Sequence, residues 1–144
     1  MRVLLDTHAF LWWIADHPRL SPRARELISA GSNEVFFSVA SAWEIAIKSG
    51  LGRIPVPAGT GRFVVGKIEV DVKMGISWMI RGEIEANGFE VLPVLLNHAL
   101  HVRILPHHHR DPFDRMLVAQ AQLEKLPIVT ADRQIARYEV EVLW

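Results

Sequence analysis

The sequence predicts an α/β protein with a mostly parallel sheet covered by helices on both faces. Two observations lead there. Short apolar runs rich in β-branched and aromatic residues alternate with helix-length segments, the pattern of parallel strands joined by helical crossovers. Several of the helical segments open on residues that cap helices.

Taken in order, "RVLLD" (2–6) reads as a first strand and "AFLWWIAD" as a helix behind it. "RARELISA" (23–30) is a helix with Ser21 as N-cap and Pro22 at its first position. "EVFFSVA" (34–40) is a second strand, and "SAWEIAIKSG" a helix with a Ser41/Glu44 capping box and Gly50 as C-cap. Between about 51 and 90, "PVPAGTG" is a loop, residues 62–73 suit either helix or extended chain, and a helix is expected over about 75–87. "FEVLPV" (89–94) is a strand, "NHALHVRIL" and "DPFDRMLVAQAQLEK" are helices, and "PIVTAD" and "VEVLW" are closing strands.

The 144 residues suit one domain, 1–144, without internal repeat or low-complexity tract. No cysteine is present, which excludes disulfide scaffolds, thiolate zinc sites and cysteine nucleophiles and agrees with a reducing cytoplasm. The apolar run Ala9 to Ala15 is far short of the roughly 20 residues that span a bilayer, and no basic leader precedes it. The expectation is a cytoplasmic protein without a membrane segment. Lysine plus arginine equals aspartate plus glutamate, so no global positive field advertises nucleic acid. A nuclease holding phosphates through metal ions needs only local cations, and Lys48, Arg110, Arg115 and Arg133 lie close in sequence to acids.

In parallel α/β sheets ligands bind at the carboxyl ends of strands. Asp6 ends the first strand, Glu44 and Asp114 lie in the expected first turns of helices, and Asp132 follows "PIVT". Capping accounts for acids at helix starts: Glu44 pairs with Ser41, Asp111 and Pro112 begin a helix with Asp114 at its third position, and Asp132 could cap 133–137. It offers no reason for Asp6. Gathered carboxylates raise one another's pKa and persist only with a neutralising cation, and hard oxygen ligands select Mg²⁺ or Mn²⁺. Such ions activate water and stabilise a leaving oxygen in phosphodiester hydrolysis. Helix N-termini would keep Glu44 and Asp114 ionised and favour a bound phosphate.

"LLDTH-x-x-LWW", "SAWEIAIKSGLGRI", "LPHHHRDPFDRMLVAQA" and "PIVTAD", in that order and spacing, resemble the PIN-domain ribonucleases, and within them the VapC toxins of bacterial toxin–antitoxin pairs. The resemblance runs from Arg2 to the terminal "YEVEVLW". It implies an α/β/α sandwich, Mg²⁺- or Mn²⁺-dependent endonucleolytic cleavage of RNA, a VapB-like antitoxin partner and a homodimer. The family's acids fall on Asp6, Glu44, Asp114 and Asp132; the expectation is that Asp6 and Asp114 contact the metal directly while Glu44 and Asp132 complete the site directly or through water. Thr7 and Thr130 match hydroxyl residues that orient the carboxylates. Residues of about 58–88 depart from the family's usual connection.

Other residues carry alternatives. His107, His108 and His109 are consecutive and point in different directions, and His98 and His101 lack the glutamate of H-E-x-x-H, so a histidine-held metal is disfavoured. His109 and Arg115 are candidate substrate contacts, against a solvated histidine and a surface arginine paired with an acid. Lys48 sits four residues beyond Glu44 in the order that stabilises an exposed helix face. Trp12, Trp13 and Trp43 are expected in or near the core, Trp12 or Trp13 alternatively in a groove for an antitoxin helix. Rival readings are a structure-specific DNA nuclease or phosphatase using the same acids, and a non-catalytic protein-binding module.

Overall fold

The computed structural model describes residues 1–51, 62–65 and 68–144, with side chains at 1–51 and 75–144. The expected loop 55–61 lies outside the described residues. A five-stranded parallel sheet has the order β5-β2-β1-β6-β7, built from β1 (Arg2–Leu5), β2 (Glu34–Ser38), β5 (Glu90–Leu92), β6 (Ile128–Val129) and β7 (Val142–Leu143). The register pairs Leu4 with both Phe36 and Ile128, so β1 is the central strand.

Alternate residues of these strands point to opposite faces, and each face has its own core. Val3, Leu5, Val35, Phe37 and Val129 pack under Phe10 of α1 (Thr7–Ile14), Ala24 and Ile28 of α2 (Pro22–Ser29), Ile45 of α3 (Val39–Gly50) and Met79 and Ile80 of α4 (Val72–Asn87). Leu4, Phe36, Leu92 and Ile128 pack instead against Leu117, Val118 and Ala121 of α6 (Pro112–Glu124). α5 (Leu96–His101) and a single 3₁₀ turn (Val102–Ile104) lie beside α6. The layers are α/β/α, as the sequence predicts.

From β1 the chain steps outward to β2 and β5, then returns across the sheet to β6 and β7 on the other side of β1. The direction reverses between β1 and β6. Their carboxyl ends therefore flank the switch-point crevice, where helices on opposite faces diverge.

Three local expectations are corrected. The strand "EVFFSVA" stops at Ser38, whose hydroxyl accepts from Ala40 N at 2.9 Å and starts α3 at Val39. Ser41 is consequently inside the helix, its hydroxyl paired with that of Thr7 at 3.0 Å, and the Ser41/Glu44 capping box does not form. Gly50 is the last helical residue and Leu51 the C-cap. In the middle segment, β3 (Arg62–Val65) and β4 (Ile68–Asp71) form a separate antiparallel pair, and α4 runs from Val72, slightly longer than expected. No helix among the described residues is long and apolar enough to cross a membrane.

Candidate active site

Asp6 leaves the central strand directly into the crevice and is 4% exposed. Its Oδ1 accepts from Ala9 N at 2.5 Å, which makes Asp6 the N-cap of α1. Capping thus explains one oxygen of Asp6, contrary to expectation. The other accepts from the Thr130 hydroxyl at the end of β6. Burial pushes the Asp6 carboxyl up; the Thr130 bond, the Ala9 N–H and His8 oppose the shift, Asp132 adds to it, and burial prevails.

Thr130 also accepts from Asp132 N at 2.9 Å, so one hydroxyl orders two acids. Asp132 Oδ1 accepts from Gln134 N at 2.7 Å, ordering the turn that precedes Ile135–Arg137. Its Oδ2 faces His109.

Glu44 reaches the crevice from the second turn of α3 and is 2% exposed. The Thr7 hydroxyl donates to its Oε2 at 2.5 Å and the Lys48 ammonium to its Oε1. Because α3 starts at Val39, helix-terminal stabilisation does not reach Glu44 as expected; Lys48 supplies the compensating charge. Nor is Lys48 on an exposed face: its Nζ also meets Asp111 Oδ2 at 3.4 Å and lies 5.8 Å from the centre of the Phe113 ring. Burial alone would lower the Lys48 pKa, but the bonds and charges of Glu44 and Asp111 outweigh it and raise the value.

Asp114 is at the third position of α6, where Asp111 Oδ1 accepts from Phe113 N at 2.8 Å and Asp114 N at 3.3 Å. Burial first, then the charges of Asp111, Glu44, Asp6 and Asp132, push the Asp114 carboxyl up to about 8. The structure therefore brings all four sequence-selected acids into one electrostatically coupled group.

His109 joins them. Its Nε2 lies 2.8 Å from Asp132 Oδ2 and 3.1 Å from Asp114 Oδ2, while its Nδ1 accepts from Asp111 N at 3.0 Å. An Nδ1 that accepts from a backbone N–H places the neutral ring's proton on Nε2. His109 is thus a donor to the two carboxylates in this geometry, although the three side chains offer atoms within 4.8 Å of one another. A cation ligand at Nε2 would require the other tautomer, which opposes two N–H groups at Nδ1. The hard oxygens of the acids fit a divalent cation better than the imidazole does.

Several sequence-level assignments are displaced. Arg115 is 8% exposed, and among the described residues it pairs with no acid. Its guanidinium donates to the carbonyls of Val102, Leu105, Pro106 and His109 and to the Tyr138 hydroxyl, at 2.7 to 3.5 Å. His98 is fully buried, with Nδ1 accepting from Leu95 N and Nε2 on Glu124, and His101 meets Gln122. Trp12 and Trp13 pack half-buried against the core, whereas Trp43 is 60% exposed with its edge on Phe113. The sequence offers only helix capping for Asp111 and Ser41; the bond of Asp111 N to His109 Nδ1 and that of Ser41 to Thr7 depend on the folded loop and on the packing of α1 against α3.

Removing the Arg115 clamp strands four carbonyls. Arg115→Met is expected to lower unfolding free energy by about 3 kcal/mol in urea titrations. Lys48→Met leaves the buried Glu44 without its cation, and is expected to destabilise the protein by about 2 kcal/mol in EDTA, a loss that Mn²⁺ reduces in thermal melts.

Fold and site together define a parallel α/β domain with an acidic, cation-ready crevice at the sheet's switch point. The model of the PIN-domain family matches residues 3–141, and the chain belongs to that family. PIN domains are generally nucleases. Among solved structures, VapBC2 from Rickettsia felis bound to a DNA fragment from their promoter is similar, with 13% identity and a TM-score of 0.66, covering 99% of this chain and 97% of that one. FitAcB from Neisseria gonorrhoeae is similar with 17% identity and a TM-score of 0.57, covering 99% and 96%. At these identities the likeness concerns the fold. No curated protein matches the chain.

Proposed function

We propose that this protein is a Mg²⁺- or Mn²⁺-dependent endoribonuclease and the toxin of a toxin–antitoxin pair. The observation that carries the reading is the group of four carboxylates at the switch point, Asp6 and Glu44 buried, with burial and the neighbouring acids pushing Asp114 up to about 8. Asp6 and Asp114 would hold the ion directly, and Glu44 and Asp132 would complete its surroundings. The bound cation would supply Lewis-acid activation of water and stabilisation of charge on the phosphodiester.

The chain's own part is orientation. Thr7 fixes one oxygen of Glu44, and Thr130 fixes Asp6 and the backbone of Asp132. His109, tethered at Nδ1, restrains Asp114 and Asp132 against each other. No side-chain nucleophile is needed, and the nearby hydroxyls of Ser41, Thr7 and Thr130 are all engaged. The N-terminus of α6 and Lys48 favour an incoming phosphate.

A VapB-like antitoxin is the proposed partner, because the Rickettsia felis neighbour is a VapBC2 structure and the half-buried apolar run Leu11–Ile14 suits a partner helix. Homodimerisation is proposed for the exposed apolar residues Leu95, Leu96, Leu100 and Ile104. The proposed compartment is the cytoplasm.

The test compares cleavage of single-stranded RNA, duplex DNA and a phosphomonoester with Mn²⁺, Mg²⁺ or EDTA. Internal cleavage of RNA that EDTA abolishes is expected. Cleavage confined to DNA or the phosphomonoester would transfer the acids to another reaction, and no cleavage at all would favour a binding module.

A further inference from the structure

The ribonuclease reading leaves three features without a role: His107 and His108, the exposed Arg110 and the buried Arg115. The first two lie in the loop before α6, and Arg115 reaches back to that loop from the helix. A cleft of about 560 Å³ opens on the loop, lined by His107, His108, His109, Arg110, Asp111 and Gln134. It is an open surface cleft rather than an enclosed cavity. His109 and Asp111 line it from one side while their ring and carboxylate serve the acidic crevice, so cleft and crevice share a wall.

The loop is held rigid from below. Arg115 binds three of its carbonyls, those of Leu105, Pro106 and His109, and that of Val102 in the preceding turn, and the Tyr138 hydroxyl accepts from both Arg115 and His109 N, the latter at 2.9 Å. The His108 ring stands edge to face on Tyr138 with centroids 5.0 Å apart. The buried guanidinium fixes the path of the loop through carbonyls that turn inward. Preorganising the loop lowers the ordering cost of a ligand that binds across it. The chemistry presented is a guanidinium for a phosphate, an imidazole face for stacking and the Gln134 amide for the edge of a base. With zero net charge overall, phosphate attraction must come from such local cations.

We propose that this cleft is a nucleotide subsite for single-stranded RNA, taking the nucleotide next to the scissile phosphate. Arg110 holds that nucleotide's phosphate, His108 stacks on its base, and Gln134 reads the base edge. The subsite rests on the ribonuclease reading and gives it a source of sequence preference, because unpaired bases can be splayed into such a site whereas duplex bases cannot.

The test uses Asp114→Asn protein, which binds without cutting, and fluorescein-labelled single-stranded RNA 12-mers in Mn²⁺ across a salt series. Adding Arg110→Ala is expected to weaken binding about fivefold or more and to reduce the slope of log affinity against log salt by about 0.7, the value for one phosphate contact on a single strand. Arg110→Lys should keep the slope. Adding His108→Ala should weaken binding by at least fivefold without altering the slope, as loss of a stack does. Gln134→Ala should weaken binding of the preferred base and flatten base preference at one position of a randomised library. In the active protein, Arg110→Ala should raise KM more than it lowers kcat. Melting temperatures near the parent's certify the fold of each variant. If the parent cleaves RNA and the variants match it in affinity, slope and base preference, the subsite is wrong and the ribonuclease reading survives. A parent that neither binds nor cleaves RNA removes both.

Discussion

Asp114→Asn is expected to abolish metal-stimulated cleavage while making the metal-free protein more stable at alkaline pH. In the folded chain burial and the neighbouring acids raise the Asp114 carboxyl from 3.8 to about 8. An acid whose pKa is raised by folding binds more protons folded than unfolded, so stability falls as pH rises from about 4 to about 8. Asp6 is raised for the same leading reason and adds to the slope. Melting temperature in EDTA should therefore decline across that window in the parent and decline less in Asp114→Asn. Mn²⁺ should reverse the trend, because a cation binding deprotonated acids stabilises more as protons become easier to displace. Loss of cleavage by about a thousandfold corresponds to roughly 4 kcal/mol of transition-state stabilisation. A variant that is more stable yet inactive separates a site evolved for a cation from one that merely caps a helix.

The second large effect concerns Asp6, which both caps α1 and enters the crevice. Asparagine is as good an N-cap as aspartate, so Asp6→Asn keeps the bond from Ala9 N, removes the charge and replaces the oxygen that accepts from Thr130 by an amide NH2. Its expected result is a folded protein with cleavage reduced about a thousandfold, a loss of roughly 4 kcal/mol. Asp6→Ala should lose activity equally and also about 1 to 2 kcal/mol of stability, because the Ala9 N–H and the Thr130 hydroxyl lose their acceptor. If Asp6→Asn cleaves RNA as the parent does, the carboxylate has only the structural role. Parallel urea titrations and cleavage assays of the two variants make the distinction.

The gathering of Asp6, Glu44, Asp114 and Asp132 was legible in sequence because each lies at a strand end or near a helix start, and a parallel sheet aligns its carboxyl ends and the following helix starts along one edge. What was illegible depended on tertiary context. Val39 and Ala40 continue a β-like run, yet Ser38 ends it by capping α3, and the change moves Glu44 from the first turn to the second. Lys48 has the spacing of an exposed pair, but α6 brings Asp111 to its other side. Arg115 looks like a surface cation, and becomes buried because the loop before α6 folds back with its carbonyls inward. Trp43 looks like core, yet the face of α3 that carries it turns outward beside Phe113.

Mn²⁺ titration by isothermal calorimetry at pH 8, on the parent and on Asp6→Asn, tests the central assignment most directly. Saturable binding to the parent with proton release, weakened at least tenfold in a folded Asp6→Asn, is the expected result. Binding that is absent from the parent, or undiminished in Asp6→Asn, would contradict a cation site built on these carboxylates.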